Sequence, residues 1–137
     1  MIKVVLDTNI LVSALFWNGN PHILFERCCK RDMQSVTSIE ILRELHEVLS
    51  DSGNFEITSE EIDNFIDVVM ETSIVVKPDV KVDVIKDDPT DNKILECAVA
   101  GRAKHIVSGD GHLLDLGRCE GIKIMTASEF LKFLDEK

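Results

Sequence analysis

Short, densely apolar runs alternate with stretches of helical periodicity along the whole chain. Residues 2–6 (Ile-Lys-Val-Val-Leu) have the density of a strand buried on both faces, and Thr8 opens a helix predicted to run to about Phe16. A turn over residues 17–20 leads to Pro21, which suits the first position of a second helix with Ile23, Leu24, Phe25 and Cys28 on its inward face. Residues 34–37 read as a short strand, and Ser38 as the N-cap of a helix to about Leu49 whose apolar arc is Ile41, Leu42, Leu45, Val48 and Leu49. After a loop over residues 51–54, Thr58 and Glu61 form a capping box. It opens a helix striped by Ile62, Phe65, Ile66, Val69 and Met70. Residues 74–76 suggest another strand, and residues 77–86 alternate valines with charges as either an edge strand or an extended connection does.

The second half repeats the scheme. Asp88 as N-cap and Pro89 at the first helical position start a helix to about Arg102, residues 105–108 form a strand, and Leu113, Leu114 and Leu116 mark a short helix. A last strand covers residues 122–125 and a closing helix residues 128–134. This alternation implies an α/β fold, a three-layer α/β/α sandwich with a mainly parallel central sheet, in a single domain over residues 1–137.

Composition narrows the function classes. A content of 45% hydrophobic and 29% charged residues is that of a globular domain, and every apolar run is far shorter than a membrane span, so a cytoplasmic protein is expected. Cys28, Cys29, Cys97 and Cys119 lack zinc-site spacing and read as free thiols of a reducing compartment. With 25 acids against 15 bases the net charge is −10, which argues against holding nucleic acid mainly by phosphate neutralisation. A polyanionic ligand then needs metal ions or a local basic patch. Arg27, Lys30 and Arg31 form the most basic cluster, read either as the complement of a helix C-terminus or as such a patch.

Four acids stand where chemistry is expected. Asp7 ends the first strand, where open α/β sheets place their ligand crevice, although an aspartate there also serves as a helix cap. Glu44 lies about 40° from Val48 on the helical wheel, at the edge of the apolar arc, whereas Glu40 and Glu47 point toward water. Asp91 completes a capping-box-like start after Asp88, yet shares a face with Ile94, Leu95 and Ala98. Asp110 follows the strand that ends at Ser108, as Asp7 follows the first. Carboxylates gathered in one crevice demand protons or cations, and oxygen-only ligands select hard ions such as Mg²⁺ or Mn²⁺. Such a site suits phosphodiester hydrolysis. Asn9 and Ser108 are placed to hold ligand oxygens or water, or else serve ordinary turn and helix-start chemistry.

Asp7-Thr8-Asn9, Glu44 within Ile41-Leu42-Arg43-Glu44-Leu45, Asp91 within Asp88-Pro89-Thr90-Asp91-Asn92-Lys93-Ile94-Leu95, and Asp110 within Ile106-Val107-Ser108-Gly109-Asp110 together resemble the PIN-domain signature, in order and spacing. The resemblance implies a metal-dependent endoribonuclease acting on single-stranded RNA. It is similar to the toxins of toxin–antitoxin pairs, which commonly form homodimers and are held inactive by an antitoxin protein. It also implies that Asp7, Glu44, Asp91 and Asp110 are the metal ligands and catalytic acids, with Asn9 and Ser108 as supporting polar residues and Asp88 as an outer acid. Many relatives carry a further acid two residues beyond the last aspartate; His112 stands there in this chain, which removes one ligand for a second metal. His112 itself reads as a surface loop histidine, with proton donor as the alternative.

Two other readings compete. A catalytically silent PIN-like binding or regulatory module would keep the fold without the chemistry. An aspartyl-phosphate hydrolase would also place a nucleophilic Asp after the first strand, but the second acid of that family falls at Asn9.

Overall fold

The computed structural model describes residues 1–51, 55–78 and 92–136. Its elements are β1 (Lys3–Leu6), α1 (Thr8–Phe16), α2 (Asn20–Cys29), β2 (Gln34–Ser38), α3 (Ile39–Ser50), α4 (Ser59–Thr72) and β3 (Ser73–Val76). They continue with α5 (Asn92–Gly101), β4 (His105–Val107), α6 (Gly111–Leu116), β5 (Arg118–Cys119), β6 (Ile122–Met125) and α7 (Ala127–Asp135). The strands form one six-stranded sheet in the order β3-β2-β1-β4-β6-β5, parallel except for β5. This is the α/β sandwich with a mainly parallel sheet that the hydrophobic pattern implies.

The strand order locates the ligand edge. From β1 the chain moves outward to β2 and β3, then returns through α5 to β4 on the other side of β1. Right-handed crossovers therefore put α1 to α4 on one face and α5 on the opposite one. The direction of winding reverses between β1 and β4, and the carboxyl ends of those two strands border the crevice at such a reversal. Leu6 pairs with Val107 there, and the next residue, Asp7, donates its backbone N–H to the Val107 carbonyl at 3.0 Å.

The central strands are packed from both sides. Val4, Val5, Leu6, Val36, Ile106 and Val107 are buried, under helix faces that contribute Leu11, Leu45, Ile94, Leu95 and Phe130. Ser38 caps α3 and Thr58 with Glu61 closes a complete capping box on α4, as the sequence predicts. Thr126 and Glu129 form a second box on α7.

Three expectations need correction. Ile23 is 45% exposed, because Leu24, Phe25 and Cys28 define the buried arc of α2 and Ile23 lies about 150° from its centre. Met70 is 42% exposed for the same reason: Ile62, Phe65 and Val69 carry the buried side of α4. The two-residue strand β5, absent from the sequence reading, pairs antiparallel with β6 through a tight turn whose central residues, Glu120 and Gly121, have φ of 55° and 78°. A strand of two residues has no hydrophobic period to detect. The expected start of the fifth helix at Asp88 and Pro89, and most of the valine-alternating stretch before it, lie outside the described residues.

All four cysteines are free, and burial pushes the Cys28 and Cys97 thiols up to about 12. Gly101 ends α5 with its Cα against β2, where a Cβ would collide with the side chain of fully buried Val36. Gly101→Ala should therefore destabilise the protein by about 1–3 kcal/mol through overpacking, against a helix-propensity gain of about 1 kcal/mol. Urea unfolding measures the balance, and a variant at least as stable as wild type would contradict the close approach.

Candidate active site at the carboxyl edge of the sheet

Asp7 is 5% exposed and caps α1, with Oδ1 accepting the Thr8 N–H at 2.7 Å. Its other oxygen, Oδ2, accepts the Ser108 hydroxyl at 2.7 Å. Fully buried Ser108 in turn accepts the backbone N–H of Asp110 at 2.9 Å. One serine thus ties the carboxylate at the end of β1 to the turn that follows β4. Asp110 caps α6, its Oδ1 accepting the His112 N–H at 2.8 Å, and its side chain remains partly exposed. Both aspartates consequently cap helices, and capping does not remove them from the crevice.

Glu44 reaches the same edge from α3. It is the partly buried acid of that helix, while Glu40 and Glu47 are exposed, as the helical wheel predicts. Burial holds the Asp7 carboxyl above its ordinary range; hydrogen bonds from Ser108 and Thr8 oppose this, and the negative charges of Glu44 and Asp110 add to it. Two acids from separate segments, Glu44 and Asp110, therefore act electrostatically on Asp7.

Glu44 is also paired. Lys93 Nζ, from the first turn of α5, donates to Glu44 Oε2 at 2.6 Å, both side chains being partly buried. Among the described residues, no group of three or more acids, cysteines or histidines stands close enough together to hold a metal ion. Asp7, Ser108 and Asp110 form one hydrogen-bonded cluster, and Glu44 faces it from its pairing with Lys93.

Asn9 is exposed on the first turn of α1 and takes no part in that cluster. His112 is exposed, its ring 3.9 Å from Asp110. Asp88 and Asp91 lie outside the described residues; Asn92, the residue after Asp91, begins α5. Because α5 leads back to the start of β4, its N-terminus lies at the carboxyl edge of the sheet.

Three residues escape the sequence reading. Lys93 is one; its signal was a cation two residues after an acid at a helix start. The others are Thr8 and Thr37, whose buried hydroxyls have no hydrogen-bond partner among the described residues. Thr8 adjoins Asp7, and Thr37 lies in β2 one residue beyond the Val5–Val36 pair, so both belong to this edge of the sheet. A hydroxyl left without a protein partner at such depth is a group that water or a hydrated ion satisfies. The carboxylates of Asp7 and Asp110, with the Thr8 hydroxyl next to Asp7, are hard oxygen donors of the kind that fits Mg²⁺ or Mn²⁺.

The basic cluster lies elsewhere. Arg27 pairs with Asp32 and Asp135, Arg31 donates to the Glu71 carbonyl, and this segment leads into the start of β2, at the opposite edge from Asp7.

Comparison with known proteins bears on the family and the fold. The PIN domain family model matches residues 3–112. An uncharacterised protein of Methanocaldococcus jannaschii, MJ1680, is 29% identical over 96% of this chain and 90% of its own length. A chain in the crystal structure of VapBC2 from Rickettsia felis, bound to a DNA fragment from its promoter, superposes with a TM-score of 0.64. It is 17% identical and covers 91% of this chain and 98% of that one, so the likeness is one of fold.

The raised carboxyl of Asp7 has a consequence for stability. Its folded value lies above its ordinary 3.8, so the native state holds the proton longer than the unfolded state, and stability falls as pH rises through that window. Asp7→Asn, which keeps the cap and a partner for Ser108, lacks this loss. In chelator-treated protein, the stability of the variant relative to wild type should rise from about pH 4 upward and level off once Asp7 is ionised. Urea midpoints across pH 3–8 test this, and parallel curves would contradict it.

Proposed function

The chain belongs to the PIN-domain family, whose members are generally nucleases, and from that premise we propose that it is a divalent-metal-dependent endoribonuclease cleaving single-stranded RNA. The observation that carries the reading is the buried Asp7 carboxylate at the winding reversal, bonded through Ser108 to the Asp110 turn and pressed electrostatically by Glu44 and Asp110. In this reading Asp7, Glu44 and Asp110, with Asp91 preceding Asn92 in sequence, hold Mg²⁺ or Mn²⁺, and Asp88 is an outer acid. The bound ion supplies Lewis acidity at the phosphate and lowers the pKa of water at neutral pH.

The remaining work falls to side chains of this chain. Ser108 fixes the Asp7 carboxyl plane by donating to Oδ2, which leaves the lone pairs of Oδ1 and Oδ2 not used by Thr8 and Ser108 for a cation. Asp110, capped onto α6, keeps its second oxygen for the crevice. Asn9, exposed beside Asp7, and the Thr8 and Thr37 hydroxyls are the polar groups available to orient water or RNA oxygens.

The biological role proposed is that of the toxin in a toxin–antitoxin pair, acting in the cytoplasm as a homodimer and restrained by an antitoxin protein. The family and the shared fold with the VapBC2 chain support it. No helix among the described residues is long and apolar enough to cross a membrane.

Incubation of a labelled single-stranded RNA with Mn²⁺ tests the activity. Wild type should cleave it, EDTA should abolish cleavage, and Asp7→Asn should lower kcat by about a hundredfold or more, equivalent to about 2.7 kcal/mol of lost transition-state stabilisation. Cleavage that persists in the variant would assign the activity to a contaminant. A folded wild type that binds the RNA without cutting it would favour a silent binding module.

A further inference from the structure

The Lys93–Glu44 pair is the feature of this edge that the proposed chemistry does not use. An ammonium 2.6 Å from Glu44 Oε2, with both side chains at 20–30% exposure, occupies the oxygen of an acid assigned to the metal. Lys93 lies in the first turn of α5, where a cation gains nothing from the helix dipole, since its N-terminus favours negative charge. Position in the helix therefore does not explain the lysine; the carboxylate opposite does. The contact spans 49 residues of sequence and joins α3 to α5, helices carried on opposite faces of the sheet.

We propose that Lys93 is the resident counter-ion of Glu44 in the metal-free protein, that a divalent cation displaces it from Glu44, and that the released ammonium then binds a phosphate of the RNA. The proposal rests on the metal-nuclease reading of the site and adds a residue to it. Its physical basis is competition for one carboxylate: two cations cannot share Glu44 Oε2 at contact distance without repelling each other. Lys93 hence weakens metal binding while it holds Glu44 in place. Once displaced, it is a flexible point charge on a four-carbon stem beside a crevice that holds Asp7 and Asp110, in a chain of net charge −10. A polyanion approaching that crevice meets a cation that the metal has just freed. Metal loading and substrate capture are coupled in that order.

The signature is a pair of opposite effects. Calorimetric titration of the RNA-free protein with Mn²⁺ should give a Kd about tenfold or more lower for Lys93→Met than for wild type, while the KM for single-stranded RNA at saturating Mn²⁺ rises about tenfold. Lys93→Arg, which keeps the charge, should stay within a few-fold of wild type in both. General damage to the site would weaken both kinds of binding together, so a Lys93→Met variant with unchanged or poorer Mn²⁺ affinity overturns the proposal, as does a lowered or unchanged KM. Should Lys93→Met fail to fold, Lys93→Gln carries the same test. If neither wild type nor variant binds Mn²⁺, the metal-nuclease reading itself falls and this proposal with it; binding in wild type without the opposite shifts sinks Lys93 alone.

Discussion

The pairing of β1 with β4 is the constraint on which the site depends. Leu6 lies opposite Val107, and the hydrogen bond from Asp7 N–H to the Val107 carbonyl carries the ladder one residue past the strand. That register brings the Asp7 carboxylate to Ser108 and, through it, to the backbone of Asp110. A slip of one residue would turn every side chain of the pair to the other face, so the buried valines and isoleucines that fix the register also fix the acids. Core packing and site geometry are here one set of contacts.

Gathering acids at this edge has an electrostatic cost, and the structure shows how it is partly offset. The Ser108 hydroxyl and the Thr8 N–H each stabilise the Asp7 anion, and Lys93 neutralises Glu44. These do not cancel burial and repulsion, since the Asp7 carboxyl still stays above its ordinary range. The excess is what a divalent cation would remove. It also bears on the RNA reading proposed for so acidic a chain. Arg27 and Arg31 of its most basic cluster are engaged at the opposite edge of the sheet by Asp32, Asp135 and the Glu71 carbonyl, so that cluster does not supply positive charge to the crevice.

Much of this was legible in the sequence because the signals were local or periodic. The buried strands announced themselves as apolar runs, Thr58 and Glu61 as a capping box, and Glu44 as the one acid of its helix at the border of the apolar arc. The placement of Asp7 and Asp110 after buried strands followed from the general position of crevices in such sheets. What stayed hidden depends on contacts between distant segments. The Lys93–Glu44 pair exists only because α3 and α5 come together, and the Thr37 hydroxyl is left without a partner among the described residues only by the packing around β2. Periodicity also overstated the buried faces of α2 and α4, since a helix side is narrower than a run of apolar letters suggests.

The central claim is that acids remote in sequence share one hard cation at the carboxyl edge of β1 and β4. Crystals grown with Mn²⁺ and measured at a wavelength where manganese scatters anomalously test it without reference to RNA. The account predicts a difference peak within coordination distance, about 2.0–2.3 Å, of Asp7 and of at least one of Glu44 and Asp110. A fully occupied peak on other acids, or none here at saturating Mn²⁺, would contradict it.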